Sequence, residues 1–143
     1  MTCNSSTIDL TCADGSYLSA TNVCTACTSV DGTWVTCSSD TVALSCTSGS
    51  YLTNTSTCAL CSSVATGWAT CYNYTHASSC TTAYYLDTYQ CTLCTNIHTS
   101  ILTCSNSTHA LSCASGYYLS SGQCLSCPSA DPSWVTCADA STA

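Results

Sequence analysis

The sequence predicts a small, disulfide-rich, mainly β fold made of tandem hairpin repeats that form an elongated rod. Three observations lead to this prediction: 17 of the 143 residues are cysteine, the cysteines recur at a fixed spacing, and no segment shows the apolar period of an amphipathic helix. A cysteine content above about one residue in ten is typical of disulfide scaffolds, because the cytosol keeps thiols reduced. We therefore expect an extracellular or cell-surface chain.

The large apolar side chains are too few for a conventional core. The chain has no Phe and only three Trp, and Ser, Thr and Ala make up much of the rest. Ordering a residue costs about 1.5 kcal/mol, whereas a disulfide that closes a loop of about 10 to 15 residues contributes about 3 kcal/mol. Covalent links must therefore supply much of the stability.

The charged residues exclude several classes of partner. The chain has no Lys or Arg and a formal net charge of −7, so it has no side chain suited to neutralising phosphate groups. Nucleic acids and anionic membrane surfaces are therefore poor candidate partners. The sequence also lacks an apolar run of about 18 residues, so we expect no direct membrane insertion by this segment.

The cysteines define a repeat. The pattern C-x8-C-x10/11-C-x2-C-x9 occurs four times, with a period of 33 or 34 residues. The predicted repeats are 3–36, 37–70, 71–103 and 104–136, and residues 137–143 match the start of a fifth. Because Met1 and the final residues both align with positions inside a repeat, we expect this segment to belong to a longer array.

Aromatic residues follow the same register. A tyrosine lies within or near a G-x-Y-L motif in every repeat, at Tyr17, Tyr51, Tyr85 and Tyr118. A tryptophan precedes the opening cysteine of the next repeat at Trp34, Trp68 and Trp134, with Ile101 at the remaining position. The Tyr motif is typical of a short strand that enters a turn. We expect the aromatic rings to pack over disulfides, the alternative being a row of carbohydrate-binding rings, and the hairpins to be joined by loops.

No arrangement of side chains indicates catalysis or metal binding. The C-x2-C pairs have the spacing of zinc ligands, but an oxidising environment favours disulfides. The three histidines, His76, His98 and His109, are expected in surface loops, and the seven acidic residues are scattered. We expect no cofactor, no metal ion and no enzymatic activity.

Four N-x-[ST] sequons provide candidate glycosylation sites. They begin at Asn4, Asn54, Asn73 and Asn106, and three of them directly follow the opening cysteine of a repeat or lie one residue beyond it. Such sequons are acceptors for N-linked glycans in secreted proteins. We therefore expect covalent glycans on the surface of the array.

The segment LSCASGYYLSSGQCLSC, which ends at Cys127, resembles the furin-like cysteine-rich repeats of growth-factor receptors. In its Ser/Thr/Ala-rich and charge-poor composition the whole chain is similar to ciliate surface (immobilisation) antigens built from such repeats. The resemblance implies a disulfide-linked hairpin scaffold and names no ligand.

The resemblance also implies a sequential disulfide pairing. In furin-like repeats the cysteine before the aromatic strand pairs with the one that closes that hairpin, and the second cysteine of C-x2-C pairs forward. Carried over, the pairs are Cys12–Cys24, Cys27–Cys37, Cys46–Cys58, Cys61–Cys71, Cys80–Cys91, Cys94–Cys104, Cys113–Cys124 and Cys127–Cys137. The alternative is an interlocked pattern, first to third and second to fourth, which would leave Cys137 unpaired.

These features together favour a structural function. We expect a glycosylated repeat array that self-associates head to tail as a cell-surface coat, appendage or filament. The alternative is a ligand-binding ectodomain or adhesin of receptor type. In that case the third repeat is the candidate ligand face, because it departs from the pattern and carries extra tyrosines.

Overall fold

Most of the described chain consists of successive β-hairpins. The structure is a computed structural model that describes residues 11–142. It confirms the predicted fold class, a small, mainly β, disulfide-rich chain with hairpins that repeat about every 33 residues. Within these residues the strands pair only in two-stranded antiparallel sheets.

The elements alternate between two kinds of hairpin. Four short hairpins are formed by β1 (Ser16–Leu18) and β2 (Cys24–Ala26), β5 (Ser50–Leu52) and β6 (Cys58–Leu60), β9 (Tyr84–Asp87) and β10 (Gln90–Leu93), and β13 (Tyr117–Ser120) and β14 (Gln123–Ser126). Three bulged hairpins lie between them, formed by β3 (Trp34–Cys37) and β4 (Ala43–Cys46), β7 (Trp68–Asn73) and β8 (His76–Cys80), and β11 (Ile101–Asn106) and β12 (His109–Cys113).

The short hairpins contain the G-x-Y-L motif, and their backbone geometry explains why the motif begins with glycine. The motif's glycine precedes the first strand with a positive φ, as at Gly15 (80°) and Gly116 (84°). Ala83 replaces it in the third repeat and adopts the same conformation, with φ 76°. In all three cases the carbonyl oxygen accepts a hydrogen bond from the amide of the second C-x2-C cysteine. The left-handed backbone is what aims this carbonyl, and glycine adopts it at little cost.

The bulged hairpins explain the threonine that precedes each opening cysteine. Their registers shift beside this threonine, which lies opposite a serine of the second strand. The hydroxyl groups of the two residues are hydrogen-bonded in each hairpin, in the pairs Thr36 with Ser45, Thr70 with Ser79, and Thr103 with Ser112. The threonine before each of these cysteines therefore makes a side-chain hydrogen bond at the bulge.

A single helical turn follows every short hairpin, where the sequence predicted only loops. Three are 3-10 turns, at Cys27–Ser29, Cys61–Ser63 and Cys94–Asn96, and the fourth is a one-turn helix, α1 (Cys127–Ala130). Each begins at the second cysteine of C-x2-C, which is fully buried. A turn of three or four residues is too short to produce an apolar period, so the periodicity could not show it.

The described chain divides into two units, an N-terminal unit that ends at Leu60 and a C-terminal unit that begins at Cys61. In the N-terminal unit the core contains Trp34 and Ala43 with the Cys27–Cys37 disulfide. In the C-terminal unit a cluster of the same design contains Ile101 and Ala110 with the Cys94–Cys104 disulfide. Each of these clusters therefore packs a large side chain and an alanine against a disulfide, and Tyr85 joins the cluster in the C-terminal unit.

A buried alanine in each bulged hairpin was missed by the sequence analysis. Ala43, Ala77 and Ala110 each lie six residues after an opening cysteine and are at most 2% exposed. Their amides donate hydrogen bonds to the carbonyl oxygens of Ser56, Tyr89 and Gly122, in the turn of the next short hairpin. The alanine thus lets two successive hairpins approach closely.

Replacing Ala77 with leucine should destabilise the fold by about 1 to 3 kcal/mol, because the larger side chain has no space at this contact. Denaturant unfolding of the oxidised protein measures the change. Ala26→Leu, at an exposed position of β2, is the matched control and should stay within about 0.5 kcal/mol of the wild type. Equal stability of the two variants would show that the alanine contact is not close-packed.

Candidate functional site

The disulfides are the most regular feature of the structure. There are eight in the described residues, with Cα atoms 5.5 to 5.7 Å apart. They join Cys12 to Cys24, Cys27 to Cys37, Cys46 to Cys58, Cys61 to Cys71, Cys80 to Cys91, Cys94 to Cys104, Cys113 to Cys124 and Cys127 to Cys137. This is the sequential pairing, and the interlocked alternative is absent from residues 11–142. Cys3 lies outside the described residues.

The disulfides join neighbouring parts of the chain. Cys46, the last residue of β4, is linked to Cys58, the first residue of β6, so that a bulged hairpin is tied to the short hairpin that follows it. Cys94, at the start of a 3-10 turn, is linked to Cys104 in β11, so that a short hairpin is tied to the next bulged one. The linked cysteines are 10 to 12 residues apart in sequence. The covalent links therefore run along the chain from hairpin to hairpin.

This pairing leaves the C-x2-C motifs without thiolates. All four of these motifs have both sulfurs in disulfides, and a disulfide sulfur does not act as a zinc-binding thiolate. Residues 11–142 contain no group of three or more His, Cys, Asp or Glu side chains that is arranged to hold a metal ion.

The tryptophans pack in the cores. Trp34 and Trp68 are only 4% and 2% exposed, and Trp134 is half-buried. Among the register tyrosines, Tyr85 and Tyr118 are buried, while Tyr17 and Tyr51 are half-buried. A sugar ring stacks on an open aromatic face, and the first two tryptophans do not offer one. Their geometry favours the packing interpretation over a carbohydrate-binding row.

Three sequons lie within the described residues, and Asn4 lies outside them. Asn54 is exposed in the turn between β5 and β6. Asn106 is exposed and Asn73 half-buried, and they occupy equivalent positions at the tips of two bulged hairpins, where β11 and β7 end. The sequons therefore lie on hairpin tips and turns, where a glycan would displace no core contact.

The tips of the bulged hairpins share one hydrogen-bonded turn. Asn73 Oδ1 accepts hydrogen bonds from the amide and hydroxyl of Thr75, at 2.8 and 2.7 Å. Asn106 and Thr108 make the same contacts, at 2.9 Å each. Ser39 and Thr41 occupy the equivalent positions in the first bulged hairpin, and Asp139 and Ser141 in the fifth repeat. The sequons at Asn73 and Asn106 are thus one version of a general turn, a second feature that the sequence analysis missed.

The same turn sets the acidity of one carboxyl group. Asp139 Oδ1 accepts hydrogen bonds from the amide of Ser141 at 2.7 Å and from its hydroxyl at 2.8 Å. These bonds, the amide first, stabilise the charged form and lower the pKa of Asp139 from 3.8 to about 2. The pKa values of Asp31 and Asp131 are also lowered, chiefly by the hydroxyls of Thr33 and Ser133.

The histidines lie at three different contacts. His76 Nδ1 is 2.6 Å from the hydroxyl oxygen of Thr75, and its ring lies against that of Tyr89 with centroids 4.5 Å apart. His98 Nδ1 is 2.6 Å from Ser100 Oγ. The ring of His109 covers Gly122, where a Cβ atom would lie 2.6 Å from its Nε2. Each histidine therefore has a local structural contact.

The comparisons with known proteins found no counterpart. No family model matches the sequence, no curated protein is similar to it, and no solved structure matches the fold. No helix within residues 11–142 is long and apolar enough to cross a membrane. The disulfides themselves indicate an oxidising, extracellular environment.

Replacing Ser141 with alanine should raise the pKa of Asp139 part of the way from about 2 toward 3.8, because the hydrogen bond from the Ser141 hydroxyl is lost while the bond from the backbone amide, the larger cause, remains. Since folding lowers this pKa, the stabilisation from the turn is complete above pH 3.8 and is lost as the pH falls through about 2. A carboxyl-carbon NMR titration measures the change, with Ser62→Ala, an exposed serine elsewhere, as the control. A titration of Asp139 that is the same in both variants would contradict the assignment.

Proposed function

We propose that the chain is an extracellular structural protein whose glycosylated, stapled repeats form part of a cell-surface coat, an appendage or a filament. The observation that carries this proposal is that one stapled arrangement recurs with the same disulfides and the same backbone hydrogen bonds. The proposed role is one of shape and durability, without catalysis.

The recurring contacts support an array that can be extended. In the N-terminal unit the amide of Thr47 donates a hydrogen bond to the carbonyl of Thr33, at 2.8 Å. In the C-terminal unit the equivalent bonds join Thr81 to Gly67 and Ala114 to Ser100, also at 2.8 Å. Repeats that meet through one kind of contact can continue without a new interface, and head-to-tail contacts that do not close a ring give filaments. On this basis we propose an extended, rod-like array that self-associates.

Resistance to damage outside the cell supports the same role. Lys and Arg are absent, so trypsin-type proteases have no cleavage site. Disulfides that span 10 to 12 residues limit how far any segment can open. A protease must bind an extended segment, and such segments become accessible only when the chain opens locally. The composition and the disulfides thus both favour resistance of the protein to proteolysis.

The sequons and the composition agree with a surface coat. We propose that glycans at Asn54, Asn73 and Asn106 extend outward from turns and hairpin tips, and that Asn4 is a further acceptor. The resemblance to furin-like repeats and to ciliate surface antigens supports this proposal, since those proteins present such arrays at the cell surface.

A second candidate function is a receptor-type or adhesive module. It is favoured by the third repeat, where Tyr72, Tyr74 and Tyr89 are 70%, 63% and 50% exposed. Thr88 and Tyr89 form the turn of this repeat's short hairpin with φ values of 43° and 68°. A β-branched residue in this region is strained, and strain of this kind often accompanies binding sites. An adhesin would use these rings to contact its ligand.

Electron microscopy of the native glycoprotein tests the structural role. We expect extended rods or filaments with a regular repeat, and small-angle scattering of oxidised protein should give an elongated shape. A compact, monodisperse particle that does not associate as its concentration rises would contradict the filament and favour the receptor-type module.

Removing the hydroxyl of one sequon tests the glycans separately. In a secreting eukaryotic host, Thr108→Ala should abolish the glycan at Asn106, whereas the matched variant Thr108→Ser should keep it, since both Ser and Thr complete a sequon. The mass of the protein before and after amidase treatment measures the difference. If amidase treatment removed the same mass of glycan from the wild type, Thr108→Ala and Thr108→Ser, glycosylation at Asn106 would be contradicted.

A further inference from the structure

The C-terminal unit contains a mostly apolar pocket of about 370 Å³ beside β11 and β14. Its walls include Ile97, Ile101 and Leu125, together with Cys124 of the Cys113–Cys124 disulfide. Polar groups of Ser107 and Gln123 are among those at its edge. Pockets of this size and character are typical of small-molecule sites.

The repeat register explains why a pocket occurs here. One repeat earlier, the residue equivalent to Ile101 is Trp68, the residue equivalent to Gly122 is Tyr89, and the residue equivalent to Ser107 is Tyr74. All three are aromatic in the earlier repeat and are smaller and non-aromatic around the pocket. The pocket is therefore lined at three positions where the third repeat has a ring and the fourth has none.

The lining indicates the chemistry of an occupant. The walls are aliphatic side chains and a disulfide sulfur, and sulfur makes favourable contacts with aromatic rings. The lining includes no Asp, and His98 is its one titratable side chain apart from the disulfide-bonded Cys124. A cationic ligand would lose its hydration without gaining an acidic partner in the lining, and the net charge of −7 disfavours an anionic one. These walls suit a neutral ring, and the polar edge suits a single hydroxyl or N–H group.

The size of the pocket favours a small molecule over a protein partner. One aromatic side chain buries about 150 to 250 Å². A stable interface between two proteins buries at least about 1,200 Å² in total, so one inserted side chain would supply only a small part of it. A free ring compound needs no further contact area.

We propose that this pocket is a binding site for a small, neutral aromatic compound with one polar group, of the phenol or indole class. The ring lies against Ile97, Ile101 and Leu125, and its polar group faces Gln123 and Ser107. This function is separate from the structural role, because three residues that line the pocket differ in size from their equivalents in the third repeat.

Methyl NMR titration of the oxidised full chain with indole and with 4-methylphenol tests the proposal. The methyl signals of Ile97, Ile101 and Leu125 should shift saturably, with a Kd on the order of 1 mM, as expected for so small a ligand. The exposed Leu44 of the N-terminal unit should not respond. Phenol is titrated in the same way, and cyclohexanol, which has the size and hydroxyl of phenol without its ring electrons, should bind at least about threefold more weakly than phenol.

Two variants restore the residues of the earlier repeat. Ile101→Trp should weaken binding at least tenfold by filling the pocket, and Ser107→Tyr, at an exposed position, should weaken it in the same direction without altering the core. Leu102→Ala, next to the pocket residue and exposed, is the matched control and should leave the affinity unchanged.

Three results would overturn the proposal. The first is the absence of a saturable shift with either ring compound at about 10 mM. The second is equal affinity for cyclohexanol and phenol. The third is a shift of the pocket methyl groups that depends on protein concentration without added ligand and disappears in Tyr72→Ala or Tyr74→Ala, which would assign the pocket to a tyrosine of a second copy.

Discussion

The disulfide between successive hairpins is the constraint on which the rest of this structure depends. A two-stranded hairpin is at best marginally stable alone, and every sheet within residues 11–142 has only two strands. Links such as Cys46–Cys58 and Cys94–Cys104 hold each hairpin against the next, so that a few buried side chains suffice at each contact. Loops of this length lose about 3 kcal/mol of chain entropy in the unfolded state when they are closed. Two such links per repeat take the place of a large apolar core.

This constraint accounts for the unusual composition. Where hairpins must approach closely, the chain has alanine, and Ala43 and Ala77 are fully buried at those contacts. Where strands are bulged, Thr–Ser hydroxyl pairs such as Thr103 with Ser112 make the hydrogen bonds. Where turns end a hairpin, Asn, Asp or Ser accepts a hydrogen bond from the residue two positions later. Small polar residues therefore make local hydrogen bonds that need neither a large nor a charged side chain.

The sequence predicted the parts of the fold that depend on large or rare residues. Cysteine spacing predicted the repeat, and the register tryptophans predicted the core positions of Trp34 and Trp68. The pairing came from the resemblance to furin-like repeats, since spacing alone left an interlocked alternative open. The buried alanines, the hairpin-tip turns and the 3-10 turns were not predicted, because Ala, Ser and Thr occur throughout this chain and carry no signal by themselves. The pocket beside Ile101 was not predicted. Only the structure shows that Ile101, Ser107 and Gly122, which replace aromatic residues of the third repeat, lie around one space.

The most direct test of this account is to reduce all the disulfides in native buffer, without denaturant, and to follow the near-ultraviolet circular dichroism and the amide dispersion in NMR. If the links hold the hairpins together, the reduced chain loses the signals of the buried Trp34 and Trp68 and its amide spectrum collapses to that of an unfolded chain. Reoxidation should then restore both. A reduced chain that keeps its near-ultraviolet spectrum and its dispersed amides would show that side-chain packing alone maintains the fold, and would contradict the central claim.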